Sequence, residues 1–222
     1  MAVQIEFLKT LPYFAGMDTA VLDSIKKYVF EKKADRGEAL SFEGEPSDVL
    51  YFVFAGVVKV FKTSTDGKEQ IFRIIRPGES FNDVPVLSGG VNLVSAEAMG
   101  PVVLNGIKKK DLDAIIKERP KLALNVIQVL SRRVQELVSL VEDFSFRHVT
   151  SRVAKMLLEY ADHKAGEGPR LTQQEMAAMI GTAREMVGRS LKNMEGEGTI
   201  KMERNRIVIA DQRALKELAG VD

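Results

Sequence analysis

The chain of 222 residues contains no cysteine and no tryptophan, and its only histidines are His148 and His163. Without cysteine there can be no disulfide, no thiolate-held zinc and no cysteine-ligated iron–sulfur cluster, which suits a reducing, cytoplasmic setting. Long apolar runs are missing as well. The longest, Val49 to Val58, is about half of what a membrane span needs. The N-terminal MAVQIEFLKT has no basic stretch leading into an apolar core, so neither a membrane anchor nor a secretory signal is expected. Neither sign of charge dominates, with 32 Lys+Arg against 31 Asp+Glu. That balance excludes a partner held by bulk electrostatics, but not one met by a few placed cations. What is present, 45% hydrophobic and 28% charged residues, is the composition of a globular protein with one large or two modest domains.

From Leu11 to Val29 the chain reads as a turn, an N-cap at Asp18 and a helix whose apolar positions Val21, Leu22, Ile25 and Val29 recur at helical spacing. From residue 30 to about 107 the character changes to short β-branched and aromatic runs. Gly56, Gly67, Gly78, Gly89 and Gly100 follow one another at intervals of eleven residues. Strand-like segments lie between them, Leu50–Phe54, Val57–Phe61, Gln70–Ile75 and Val102–Ile107, and predict a sandwich or barrel of short hairpins. After Lys108 the period becomes helical, first over Asp111–Glu118 and then over a long helix from Pro120 to about Ser145, whose first turn tolerates the proline. Along it Ile127, Leu130, Val134, Leu137, Val141 and Phe144 alternate in steps of three and four, the seam of a coiled coil with a second copy of the chain or, more plainly, ordinary core within the domain. A neighbouring set, Leu122, Val126, Val129 and Val138, predicts packing on the β domain. Arg147–His163 is a further amphipathic helix, closed by the turn-forming KAGEGP. The expected division is a β domain at 1–119, a dimerisation helix and hinge at 120–146, and a C-terminal domain at 147–222.

Residues 171–195, LTQQEMAAMIGTAREMVGRSLKNME, carry the strongest signal. Thr172 with Glu175 has the form of a capping box at the start of a helix Gln173–Ile180 that buries Met176, Ala177 and Ile180. Gly181 supplies a sharp turn, and Thr182 with Glu185 repeats the capping spacing for a second helix that buries Val187 and Leu191. Two short helices about a glycine turn form the helix-turn-helix pattern. The second helix presents Arg184, Glu185, Gly188, Arg189 and Lys192 outward. Arginine donates two parallel hydrogen bonds to guanine, and glutamate accepts from the cytosine amino group, so this set suits the major groove of double-stranded DNA. Beyond it, Thr199–Ile209 reads as two strands about Glu203–Arg206, a wing whose Lys201, Arg204 and Arg206 would touch phosphates without reading sequence. The plainer alternative is a solvated face with a Glu185–Arg189 pair, in a sensor or adaptor whose helix-turn-helix contacts protein. Residues 145–222 hold 13 Lys+Arg and 11 Asp+Glu, so the C-terminal domain too depends on placed cations.

The LPYFAGM segment, the glycine-punctuated β region, the long helix, VTSRVAKMLL and the T-x-x-E…G-x-x-R-E-x-V-G-R helix-turn-helix together resemble the CRP/FNR family of bacterial transcription regulators. The resemblance implies an α+β chain. Its parts would be an N-terminal double-stranded β-roll, a jelly roll like that of cyclic-nucleotide-binding domains, then a long dimerisation helix and a C-terminal winged helix-turn-helix. It further implies a ligand-responsive homodimer that binds an inverted repeat and engages RNA polymerase, with domain reorientation about Phe144–His148. Arg184, Glu185 and Arg189 would read a TGTGA-like half-site, while Thr172, Gln174 and Thr182 would contact phosphates; Lys192, on the outward face of the same helix, is read as a further phosphate contact.

In the nucleotide-binding members of that family a Gly-Glu pair holds the ribose and an Arg-Ser or Arg-Thr pair the cyclic phosphate. This chain has Asn82 and Asp83 at the first position and Leu93 and Val94 near the second. Burying a phosphate against Leu and Val without a cation is costly, and Leu137 with Val138 replaces the polar pair that meets adenine. Cyclic AMP is therefore not the expected effector. The candidate pocket for an effector of unknown identity comprises Asn82, Asp83, Val86, Leu93, Val94, Arg133 and Leu137; the cations Arg73, Arg76 and Arg133 either serve an anionic ligand from other directions or, the plainer reading, stand at the surface. No histidine lies between residues 30 and 107, which excludes histidine-held haem and a cupin-like metal site there. A haem on Met99 or another non-histidine ligand stays open. With no G-x-S-x-G or P-loop pattern either, no enzyme is expected.

Overall fold

Two four-stranded sheets build the N-terminal part of the computed structural model, which describes residues 4–161, 171–203 and 206–221. The strands are β1 (Val29–Ala34), β2 (Ala39–Ser41), β3 (Val49–Ala55), β4 (Val58–Thr63), β5 (Glu69–Ile75), β6 (Ser80–Phe81), β7 (Ser95–Ala98) and β8 (Val102–Lys108). One sheet runs β1-β8-β3-β6 and the other β2-β7-β4-β5. Alternation puts Val53, Phe81, Val102 and Leu104 of the first and Leu40, Val58, Val60, Ile75, Ala96 and Ala98 of the second into one apolar cluster. The same alternation sends Leu50 and Phe52 of β3 to the opposite side, and the register shifts only beyond them, between Val53 and Ala55. Four of the evenly spaced glycines, Gly56, Gly67, Gly78 and Gly89, take positive φ. At Gly56 a Cβ would stand 2.3 Å from the Pro101 carbonyl oxygen, so no other residue makes that turn.

A second cluster joins Leu50, Phe52 and Ile107 to helices. They are α1 (Ile5–Thr10), a 3₁₀ turn (Pro12–Phe14), α2 (Thr19–Lys26), α3 (Asp83–Ser88), α4 (Lys109–Glu118) and α5 (Pro120–Phe146), the last of 27 residues. Asp18 sits at the N-cap of α2, but its carboxylate bonds no backbone amide there. The short α3 interrupts what the sequence pattern leaves as connecting chain. On α5, Leu122 and Val126 are buried in this cluster and Val129 and Leu130 pack against it.

Contacts divide the chain into two units, residues 1–62 with 72–136, and 63–71 with 137–222. The second contains α6 (Val149–Ala161), α7 (Gln173–Ile180), α8 (Arg184–Gly196), the antiparallel hairpin β9 (Ile200–Glu203) and β10 (Arg206–Ile209), and α9 (Gln212–Ala219). Its core gathers Val153, Leu157, Met176, Ile180, Val187, Leu191, Met194, Ile200 and Leu215. The KAGEGP segment and His163 lie outside the described residues. No described helix is long and apolar enough to cross a membrane.

Candidate DNA interface and effector site

The capping box at α7 forms as its spacing demands. The Thr172 hydroxyl accepts from the Glu175 amide at 3.1 Å, and Glu175 Oε2 accepts from the Thr172 amide at 2.6 Å. The same carboxylate oxygen accepts from the Thr172 hydroxyl at 2.8 Å, so both of the residue's donors are engaged within the cap. Gly181 ends α7 in the left-handed region at φ 64°. The second expected cap is absent. Ala183, not Thr182, is the N-cap of α8, and no side chain bonds the first-turn amides. Glu185 is thereby released from the role its spacing suggests.

One face of α8 buries Val187, Ser190, Leu191 and Met194. The opposite face leaves Arg184, Glu185, Arg189 and Lys192 exposed. Glu185 and Arg189 form no ion pair with one another, and among the described residues none of these four side chains has a polar partner. Gly188 faces a neighbouring helix: a Cβ there would approach Gln173 Oε1 of α7 to 3.3 Å. Gln174 is exposed and Thr182 half-buried. In the hairpin, Lys201 is exposed, Arg206 pairs with Glu203 at 2.6 Å, and Arg204 lies outside the described residues. Sequence reasoning missed Glu195, whose Oε1 accepts from the Met202 amide at 2.9 Å and ties α8 to β9.

The predicted effector residues do not converge. Val86 is wholly buried in the helical cluster, Leu93 is exposed, Val94 packs against the sheet cluster and Leu137 is exposed. Three do come together, because Asn82, at φ 63°, turns the chain so that Asp83 points inward. Asp83 is 3% exposed and pairs with Arg133 from α5. Its Oδ2 also accepts from the Tyr13 hydroxyl at 2.8 Å, and its Oδ1 from the Val84 amide at 3.0 Å. Arg133 donates at 2.9 Å to both the Ser80 carbonyl and the Ser80 hydroxyl, which in turn donates to Tyr13 at 3.2 Å. Burial, and then the Asp83 charge, pushes the Tyr13 phenol far above its ordinary range. The expectation that Arg133 is a surface cation is therefore wrong: the carboxylate turned inward at Asp83 draws it in. Arg73 pairs with Glu79 and Glu136. Met99 is buried, and among the described residues no group of three or more His, Asp or Glu could hold a metal ion.

The cyclic nucleotide-binding domain family matches residues 31–119, and the Crp-like helix-turn-helix domain family matches residues 151–218. A cAMP-activated global transcriptional regulator CRP of Pasteurella multocida is 32% identical over 178 residues, 77% of this chain and 85% of that one. The chain belongs to the CRP/FNR family. It is a CRP-like transcription regulator with a helix-turn-helix DNA-binding domain. A CRP-like cAMP-activated global transcriptional regulator of Mycobacterium tuberculosis is 29% identical over 221 residues, 96% of this chain and 99% of the relative. Among solved structures, a CRP/FNR-family transcriptional regulator from Thermus thermophilus is 26% identical with a TM-score of 0.73, covering 86% of this chain and 98% of that one.

The Asp83 carboxylate, at the position of the ribose-binding glutamate, is already held by Arg133, Tyr13 and the Val84 amide. Leu93 and Val94 bring no charge to meet a cyclic phosphate.

Proposed function

We propose that this chain is a homodimeric, sequence-specific regulator that reads an inverted repeat of TGTGA-like half-sites and does not use cyclic AMP. The observation that carries the reading is α8: its apolar face is buried while Arg184, Glu185 and Arg189 stand exposed and without polar partners on the other. Such side chains meet base edges without first breaking a bond in the protein. Gln174, Thr182, Lys192, Lys201 and Arg206 are the phosphate contacts, with Thr172 the weakest of the predicted set because its donors serve the cap.

The homodimer rests on α5. Ile127, Val134, Val138 and Val141 are 58 to 63% exposed, as is Leu124 at 62%. Apolar residues so exposed in line on one helix suit a second copy of the same helix. The names of the relatives would assign cyclic AMP; the engaged Asp83 and the apolar Leu93 and Val94 argue against that nucleotide. By family resemblance RNA polymerase is the protein partner, and the cytoplasm the place of action.

Selection of duplexes from random sequence by the full-length chain tests the reading. Enrichment of an inverted repeat whose half-sites lie about one helical turn apart is expected. Negligible, salt-independent affinity for every duplex would overturn it in favour of the adaptor.

A further inference from the structure

Arg133, Asp83, Ser80 and Tyr13 form a closed circuit in which each hydroxyl both accepts and donates. It joins three separate parts of the first unit, the 3₁₀ turn near the N-terminus, the β6–α3 turn and α5. Removing the carboxylate or the guanidinium alone would strand a largely buried charge, so α5 keeps this seat against the sheets only while both partners are present. We infer that the Arg133–Asp83 pair is a built-in substitute for an effector, so that α5 is held ready for DNA binding without any cyclic nucleotide. This rests on the DNA-binding reading above and departs from a ligand-responsive one.

The physical argument concerns what biases an equilibrium. A small molecule shifts a regulator between two states only by its differential affinity for them. Here the interaction that discriminates is intramolecular. It is made where α5 packs against the β-roll, with the guanidinium in place of an exogenous ligand. The rotation of α5 about its own axis decides which residues form its exposed stripe. Arg133 directly precedes Val134 of that stripe and stands about 100° round the helix from it. Fixing Arg133 therefore fixes the stripe. Farther along the same helix, Ser139 and Asp143 hold Lys155 of α6 at 3.0 and 2.5 Å. If the pair is broken, the competent arrangement becomes a minor population, and apparent affinity falls by the fraction lost.

The test uses the full-length protein, verified by native mass spectrometry to carry no small molecule, on the duplex selected above at fixed salt. Wild type is expected to bind tightly alone, with unchanged affinity in a saturating excess of cyclic AMP or cyclic GMP. Arg133→Met and Asp83→Asn are each expected to weaken specific binding about tenfold or more and leave binding to random duplex unchanged. Circular dichroism identifies any variant that fails to fold; the milder Asp83→Asn keeps an acceptor for Tyr13, and the nucleotide response of wild type decides the matter without either variant. An affinity that rises about tenfold on adding nucleotide, or folded variants that bind like wild type, would overturn the substitution of pair for effector while leaving DNA binding intact. Absence of binding to any duplex under every condition would instead remove the DNA-binding reading and this inference with it.

Discussion

Lys155 of α6 donates to Asp143 of α5 at 2.5 Å, across the break between the two helices. Asp143 also holds Arg147 at 2.8 Å, and Arg147 reaches on to the Ala219 and Gly220 carbonyls at the end of α9. One carboxylate thus organises the junction of α5 with the C-terminal fold. Asp143→Ala leaves two mostly buried cations with neutral acceptors only, Ser139 for Lys155 and the α9 carbonyls for Arg147, and is expected to cost about 1–3 kcal/mol. Urea unfolding of the full chain, with hydrogen exchange of the α6 amides, measures it; unchanged exchange would reassign the cluster to the surface.

The two threonines before the helix-turn-helix separate a formed cap from a mere spacing. Thr172→Ala removes a real N-cap acceptor and should cost about 1 kcal/mol in the DNA-free protein. Thr182→Ala removes none and should fall within about 0.5 kcal/mol. Thermal melts of the pair of variants compare them directly, and equal losses would refute the difference.

What the sequence made legible were features written in local rules. Glycines at eleven-residue intervals are turn positions because left-handed backbone is cheap there, and the Gly181 turn follows the same rule. The apolar and exposed faces of α8 follow from helical period. Two things were not legible. Successive helix residues differ by about 100° in direction, so adjacent apolar stripes on α5 could not be told apart: Leu130, expected in the seam, packs on the helical cluster, while Val138, expected inside, is exposed. Phe144 is partly covered by the Arg152 guanidinium. The Asp83–Arg133 pair joins elements far apart in the chain, and no local pattern marks such a partner.

That displacement sharpens the prediction for the dimer. Leu124, Ile127, Val134, Val138 and Val141 share the exposed stripe. Val134→Glu with Val141→Glu should therefore give folded monomers in sedimentation equilibrium where wild type is a dimer. Leu130→Glu should instead destabilise the first unit, by about 2–5 kcal/mol through its buried contacts. A dimer that survives the double substitution would remove the seam.

The buried circuit has its own signature at high pH. The chain has four tyrosines, and Tyr13 and Tyr51 are shifted upward, Tyr13 the more strongly, by burial first and then by a neighbouring aspartate. A phenol raised in the folded state keeps its proton while the unfolded chain loses it above about pH 10. Its contribution is therefore complete below that pH and declines as pH rises. Wild type should lose up to about 1.4 kcal/mol per pH unit more than Tyr13→Phe above about pH 10. Phenolate absorbance of the native protein should lag that of the unfolded chain. A native titration that overlays the unfolded one would show Tyr13 open to solvent.

At the DNA, the exposed cations should divide by what they touch. Arg189→Ala removes a bidentate donor and is expected to cost about 1–3 kcal/mol on the selected duplex, with selection relaxed at one base pair. Lys201→Ala should weaken specific and random duplexes alike and lower the salt slope by about 1. Arg206 starts from a 2.6 Å pair with Glu203, so its charge is partly offset before DNA arrives. Arg206→Ala is then expected to change the slope less than Lys201→Ala, and Glu203→Gln to raise affinity for both kinds of duplex. Salt titrations of the four variants measure these differences. A sequence-selective loss at Lys201, or a uniform one at Arg189, would reverse the roles given to hairpin and helix.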